Sequence, residues 1–566
     1  MRRPVSIVSW TAAAALFAMS GAQAADLPVK AKAVEYVRIC SLYGAGFFYI
    51  PGTDTCIKLG GYLRVDLTVN GGIYDGPFWN SEPGIRDRYT NFYNDRSRMA
   101  LTVDTRTATE YGVVRTFAQA DFQFSTFGAT SGIGYGNNVL PNAMNGQVNN
   151  DTVGNGYVAV EMAFIQFAGF TFGKSASAYN TPWHGYPGNN TSFLVGGYDT
   201  VTGINNVQYS WQFGNGLSAT IGLDENSAGQ FNRTQIINAI GGQEGGAIGF
   251  TGACSGFYTP VGCAYAGTLA PDIVGNFRVD QAWGLFQISG ALHDNRAVYF
   301  AGANISSNSV LELGANQANF INFGHPSDAW GGAVSAALQI KNIPTGAGDD
   351  IKIEGAWSLG ASKYVLGTSS PDPSSFAIYS GFKLAMGVVT DSIYTGTANC
   401  VTGTAGCPNG AVGGLGNVGL QLTRGWGFRG AYNHTWDPYW SSSLFGGIAG
   451  LSYNNTAKTL FCNTYSTAAG AAIAGTGLFT NGGGGGGAVV GTCDPGFTIS
   501  EIGLVTRWTP VKNLTFSAEA LYAYLKTNMS GTVTGAPAST QVLPNTTYNY
   551  GNNGNASLSL RVQRNF

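Results

Sequence analysis

Charge is scarce in this chain: 11% of its 566 residues are Asp, Glu, Lys or Arg, against about 25% in soluble domains. The net charge is −2 and no basic run occurs, so nothing marks a nucleic-acid partner. Beyond the N-terminal two dozen residues no apolar stretch is long enough for a spanning helix, which needs about 18 residues or more. Histidine is rare, and His184, His293, His325 and His434 lack the i, i+4 or Cys/His spacing of a metal site. Cysteine never occurs as C-x-x-C, which removes the usual redox and zinc motifs. The glycine run at 482–487 has no Lys-Ser/Thr after it, so it reads as loop rather than phosphate cradle. No Ser/His/acid set stands out for nucleophilic catalysis. The expectation is a protein with no cofactor, no metal and no catalytic residues.

What is abundant is glycine, 83 residues, and aromatics, 13%. A charge-depleted, Gly- and aromatic-rich chain suits a membrane β-barrel, although secreted β-solenoids and adhesins share that composition. Large β-barrels run long as single units, so length does not force several domains. The N-terminus carries an export pattern: Arg2 and Arg3, an apolar core over 10–19, then Ala22-Gln23-Ala24 as an A-x-A cleavage site. Residues 1–24 are read as a signal peptide; removing its two positive charges takes the net from −2 to −4. Eight cysteines suit an oxidising compartment. They fall as neighbours: Cys40 with Cys56, Cys254 with Cys263, Cys400 with Cys407, and Cys462 with Cys493. Eight cysteines allow 105 connectivities; the local pairs are expected to close as four disulfides, each lying between strands.

The segment 57–70, IKLGGYLRVDLTVN, sets the frame. Ile57, Leu59, Leu63, Val65, Leu67 and Val69 alternate with Lys58, Tyr62, Arg64, Asp66, Thr68 and Asn70, which makes one strand with an oily face and a charged face. The same alternation recurs near 98–105, 111–124, 157–168, 170–176, 206–213, 217–224, 273–281, 284–293, 329–341, 350–360, 420–436, 440–453, 499–508 and 514–526, and in a last strand ending at Phe566. A further strand is read near 376–384, inside the loop 361–417. That makes sixteen main strands joined alternately by short turns and long loops. Loop length segregated by end is the signature of an outer-membrane barrel and has no rationale in a soluble sandwich. Trp211, Trp283, Trp330, Trp436, Trp440, Trp508 and Tyr522 lie near strand ends, where interfacial girdles form.

The stretch 34–66, VEYVRICSLYGAGFFYIPGTDTCIKLGGYLRVD, closely resembles the N-terminal signature of the alphaproteobacterial porin family, as do PDIVG at 271–275 and the ending LRVQRNF. The resemblance implies an all-β, sixteen-stranded transmembrane antiparallel barrel in the outer membrane. It implies a general-diffusion porin, a homotrimer set among lipid and lipopolysaccharide, with the third loop folded into the lumen. Phe566 resembles the terminal residue that outer-membrane assembly machinery reads, and strands one to five with sixteen would carry the trimer contact. On this reading 25–56 is a lead-in with the pair Cys40 and Cys56, and 57–566 is the barrel. The chain departs from the family in length, with the excess in loops 225–272, 361–417 and 454–497. In a bacterial protein the Asn190-Thr191-Ser192 sequon carries no consequence.

A sixteen-stranded barrel leaves an aqueous channel, and fixed charge at its waist selects ions. The waist is expected at 177–204, carrying Asp199 and His184, opposite a wall with Arg64, Arg98 and Arg115. With one acid on the loop, the basic wall dominates and weak anion preference or little selectivity follows; simple cross-strand pairing of these charges is the alternative. Three functions compete: a passive channel for ions and small hydrophilic solutes, a barrel enzyme, and a substrate-selective channel or surface adhesin using the enlarged loops. The loop alternation and the missing catalytic set favour the passive channel.

Overall fold

The computed structural model describes residues 38–71, 93–125, 157–190, 194–226, 234–239, 265–298, 325–366, 375–395, 418–467, 489–535 and 546–566. The signal-peptide reading, residues 25–37 of the lead-in and the glycine run lie outside these residues.

Seventeen strands form one sheet; the two-residue Phe48–Tyr49 is an appendage on the first long strand, leaving sixteen in the wall. In chain order these are β1 Thr55–Val69, β2 Tyr93–Thr109, β3 Gly112–Ser125, β4 Tyr157–Phe167, β5 Phe170–Ser175, β6 Ile204–Gly214, β7 Leu217–Asp224 and β8 Asp272–Gln281. They continue as β9 Gly284–Asn295, β10 Ala329–Lys341, β11 Asp350–Leu359, β12 Arg424–Thr435, β13 Trp440–Ser452, β14 Phe497–Val511, β15 Leu514–Thr527 and β16 Asn553–Asn565. Each pairs antiparallel with its neighbour, and β16 returns to β1 with Asp66 opposite Arg561 and Val65 opposite Val562. The sheet is therefore closed, and no edge is left in the wall. Phe566 completes the seam: the Gly61 amide donates to its carbonyl at 3.2 Å, and its amide donates to Gly61 O at 3.1 Å. Gly61 has φ +151° and a Cβ there would strike Ala100 O, so only glycine lets β1, β2 and the C-terminal Phe566 meet at this point.

The alternation read from sequence is the alternation observed. On β1, Leu59, Leu63 and Val65 are exposed outward while Asp66 and Thr68 are buried inward. Exposed apolar side chains on a wall with polar groups inside invert a soluble protein, and the arrangement fits a chain solvated by lipid. No described helix is long and apolar enough to cross a membrane, which says nothing against crossing by strands.

Four details differ from the sequence reading, and the expected disulfides are met where their cysteines are described. β2 extends over 93–109 rather than 98–105, because Arg96 and Arg106 continue its inward polar row. Of the four expected disulfides, two are observed, Cys40–Cys56 and Cys462–Cys493. Cys254 with Cys263 and Cys400 with Cys407, the other two expected pairs, lie outside the described residues. Cys56 is not between strands but inside β1, where it reaches Cys40 of the preceding turn. The segment near 376–384 is not one strand: Gly381, at φ +59°, turns the chain between Ser375–Ser380 and Lys383–Val388. The strand read over 420–436 breaks at Thr423, leaving Val418–Leu422 in a separate sheet.

The described parts of the enlarged loops, with strands from the loop between β15 and β16, fold into a body of their own at the long-loop rim. One five-stranded sheet combines Ser375–Ser380, Lys383–Val388, Thr546–Tyr550, Thr532–Gly535 and Val489–Val490; a three-stranded one combines Ile236–Asn238, Ser392–Thr395 and Val418–Leu422. The helix Asn455–Thr467 is tied back by the Cys462–Cys493 disulfide and a 2.6 Å Lys458–Asp494 ion pair. Their apolar core, with Phe376, Met386 and Phe461, continues into the lumen-side residues Leu451, Ile499 and Leu525 at the top of the wall.

Candidate functional site

The described parts of segment 176–203, residues 176–190 and 194–203 between β5 and β6, do not stand away from the barrel. They run inside, against the inner wall of β8–β16. Their path is set by polar groups that would otherwise be buried without partners. The Asn180 carbonyl accepts from Gln287 at 2.8 Å, and the Pro187 carbonyl accepts from Asn433 at 2.9 Å and Lys352 at 3.3 Å. Arg429, fully buried, donates to Leu194 O at 2.9 Å, to Tyr198 O, and to Glu354 at 2.7 Å. Glu354 also accepts from Thr181 at 2.9 Å and from the Trp183 indole. The Val195 amide donates to Glu501 at 2.9 Å. Backbone lies directly on wall because of Gly196 and Gly197. Gly196 has φ +106°, and a Cβ on Gly197 would run into Glu354 and the Arg429 guanidinium.

Asn190 anchors the far end. It accepts on Oδ1 from Arg507 at 3.0 Å, donates Nδ2 to Ser517 at 2.7 Å, offers its amide to Glu519, and accepts on its carbonyl from Arg561 at 2.7 Å. In the sequence Asn190 reads only as a sequon; nothing local reveals a role that depends on β14, β15 and β16 together.

Beyond β16 the wall continues through β1–β4. Arg96 holds Asp66 with two donors at 2.8 and 2.6 Å, and Arg561 holds its other oxygen at 2.6 Å. Arg98 pairs with Asp121 at 2.6 Å and Glu161 at 3.2 Å and donates to Gln123 at 2.8 Å. Glu161 reaches this group through a bulge, since Gln119 pairs with Met162 while Ala120 pairs with Val160; the extra residue re-aims the carboxylate inward. Arg64 differs from its neighbours: it donates to Gln563 at 2.8 Å and lies 4.4 Å over the Tyr62 ring, with no ion pair among the described residues.

Arg64 and Arg98 thus share one zone with Arg96 and Arg561. The sequence pattern does not mark Arg96, because the apolar alternation of the second strand starts only at Met99; in the structure it occupies the same alternate row as Arg98. Arg115 is elsewhere. Its partner across the β2–β3 register is Arg106, whereas that of Arg98 is Gln123, about 26 Å farther along the strand at 3.3 Å per residue. There Arg115 shares Asp104 with Arg106 and bonds Gln166 at 2.9 Å.

Asp199 and His184 on the inner segment are muted by their surroundings. Asp199 is buried beside Gly185 and Arg429, and takes the Val201 amide at 2.8 Å. Burial pushes its carboxyl up to about 7, against the pull of that hydrogen bond and of Arg429. His184 contacts Asn180 at 3.1 Å; burial, helped by Arg278, holds its imidazole down to about 4, so it is neutral at pH 7. Among the described residues no group of three or more His, Cys, Asp or Glu is arranged to hold a metal.

The family model described as "Porin subfamily" matches residues 26–558. Among curated proteins, Porin Omp2b of Brucella suis biovar 1 (strain 1330) and Porin Omp2b of Brucella abortus (strain 2308) are each 34% identical over 277 residues, covering 48% of this chain and 61% of theirs. This chain therefore spans 61% of the length of the curated relatives it matches. Among solved structures, the outer membrane channel DcaP of Acinetobacter baumannii aligns with a TM-score of 0.49 at 12% identity, over 92% of this chain and 99% of that one. OprB of Pseudomonas putida aligns with a TM-score of 0.41 at 10% identity, over 90% and 94%.

Proposed function

We propose, from the premise that this chain belongs to the porin subfamily, that it forms a water-filled outer-membrane channel for passive diffusion of ions and small hydrophilic solutes. The observation that carries this reading is the inner segment 176–203, pinned across the inside of a closed barrel as far as Arg561 on β16, beside which stand Arg64, Arg96 and Arg98. Segment 176–203 is the constriction, and Arg64, Arg96, Arg98 and Arg561 are its basic side. Those four guanidiniums face three carboxylates, Asp66, Asp121 and Glu161, and Arg64 is left as net charge. With Asp199 half neutral, the field at the waist favours anions weakly. Arg115, at the short-turn end, adds to the positive mouth rather than to the waist.

The same reading assigns residues 1–24 to a signal peptide, 25–56 to the lead-in and 57–566 to the barrel. It makes the protein a homotrimer in contact with lipid and lipopolysaccharide, delivered by assembly machinery through Phe566, and not an enzyme. Single-channel recording of the mature protein in a planar bilayer under a salt gradient tests it. Open steps arriving in threes, with a reversal potential on the anion side, are expected. Membrane-inserted protein that never conducts would overturn the channel, and a cation-side potential would overturn the assignment of the waist.

A further inference from the structure

β1 carries a single arginine, Arg64, and the register gives it no acid. Its cross-strand partners are Arg98 on β2 and Gln563 on β16. The carboxylates of the zone are already answered. Asp66 takes Arg96 on Oδ2 and Arg561 on Oδ1, each at 2.6 Å, while Asp121 and Glu161 take Arg98 at 2.6 and 3.2 Å. Arg64 spends only its Nε, which donates to Gln563 Oε1 at 2.8 Å. Its Nη1 and Nη2 make no hydrogen bond or ion pair among the described residues, so the whole outer edge of the guanidinium is open.

That edge is held in place. The guanidinium carbon lies 4.4 Å from the centre of the Tyr62 ring, and the Tyr62 hydroxyl accepts from Arg98 Nη1 at 3.4 Å, which steadies the ring. Gln563, which holds Nε, is itself tied to Asn565 at 2.8 Å. A side chain fixed at its face and at its Nε has little freedom left to lose on binding. Arg64 is part-buried, whereas Arg96 and Arg561 beside it are buried. Tyr186 of the constriction segment is close enough to interact electrostatically with Arg561, Arg64 and Arg96, so the open edge stands beside the narrowing.

Shape and charge decide what fits there. Nη1 and Nη2 present parallel N–H groups at the spacing of two carboxylate oxygens, the planar pairing in which arginine binds most strongly. A spherical halide meets the same charge but gains less from the fork. Arg64, Arg96, Arg98 and Arg561 against Asp66, Asp121 and Glu161 leave one positive charge in the zone. A monoanion cancels that charge, and a dianion overshoots it beside three fixed carboxylates.

We propose that Arg64 is a docking site for the carboxylate group of small organic monoacids, which a permeating acid occupies on its way through the waist. Its place in transport rests on the channel reading above, while the binding does not. The test is saturation-transfer NMR of acetate on the purified mature protein in detergent, with acetamide as the uncharged isostere. Acetate should bind the wild type in the millimolar range, and acetamide should show no transfer that depends on Arg64. Arg64→Lys, which keeps the charge and loses the fork, should weaken acetate binding roughly fivefold or more. Tyr62→Leu, which removes the platform under the guanidinium, should weaken it as well. Both variants are compared as folded barrels, scored by near-ultraviolet circular dichroism. A wild type that takes acetate no better than acetamide would overturn the docking site. So would Arg64→Lys binding acetate as tightly as the wild type. Single-channel recording separates the two readings: Arg64-dependent binding in a protein that never conducts upholds the site and removes the channel, and conduction without such binding does the reverse.

Discussion

Arg64 and Asp199 are the residues at which this barrel's selectivity can be weighed. Its neighbours Arg96, Arg98 and Arg561 each answer a carboxylate, whereas Arg64 rests on Gln563 and Tyr62. Arg64→Glu reverses the uncompensated charge at the waist, so the anion-to-cation permeability ratio should fall roughly twofold or more. The zero-current potential in a salt gradient reads this directly, and an unchanged potential would place the waist elsewhere. Asp199 supplies a pH dependence of known sign. A carboxyl lifted to about 7 by burial is mostly neutral at pH 6 and mostly charged at pH 8. Anion preference should therefore weaken between those values, and Asp199→Asn should keep its pH 6 preference throughout. An Asp199→Asn channel with the wild-type pH profile would assign the titration to another group.

At the scale of elements, one buried pair gathers four anchors of the constriction segment. Glu354 receives Thr181, Trp183 and Arg429, while Arg429 also carries Leu194 and Tyr198. Removing one partner of a buried pair leaves the other uncompensated, at about 3–5 kcal/mol. Glu354→Ala should therefore undock 176–203 and give larger, noisier conductance steps, whereas Glu354→Gln, which keeps an acceptor, should fall between it and the wild type. Equal steps in all three proteins would show that the other anchors suffice. The strands themselves were legible in the sequence because alternation is local: Leu63, Arg64, Val65 and Asp66 declare two faces without reference to any other strand. The anchors were not. Asn190 meets Arg507, Ser517 and Arg561 only after β14, β15 and β16 are in place, the Glu161 bulge is a mismatch between two strands, and the loop core of Phe376, Met386 and Phe461 joins segments far apart in the chain.

The whole barrel carries its membrane position in its aromatic levels. At the short-turn end Trp440, Trp508 and Phe516 share one level across β13–β15, with Trp440 and Trp508 stacked at 5.9 Å. Toward the long-loop rim Trp357, Trp426 and Gly450 share another. On β13 the two levels are residues 440 and 450, about 33 Å apart along the strand and about 25 Å along the normal after a tilt near 40°. That is the height of an outer-membrane barrel's apolar band. Leu444 and Leu504 pair near the middle of this band and are exposed outward. An arginine there meets hydrocarbon, so Leu504→Arg should destabilise the folded barrel by about 2–4 kcal/mol, whereas Trp508→Arg, at the girdle, should lose only about 0–1 kcal/mol of charge-burial free energy. Denaturant midpoints of barrels folded into lipid vesicles measure the difference. Equal losses at the two sites would mean that the tryptophan levels do not mark the interfaces, and the barrel would have to be set at another height in the bilayer.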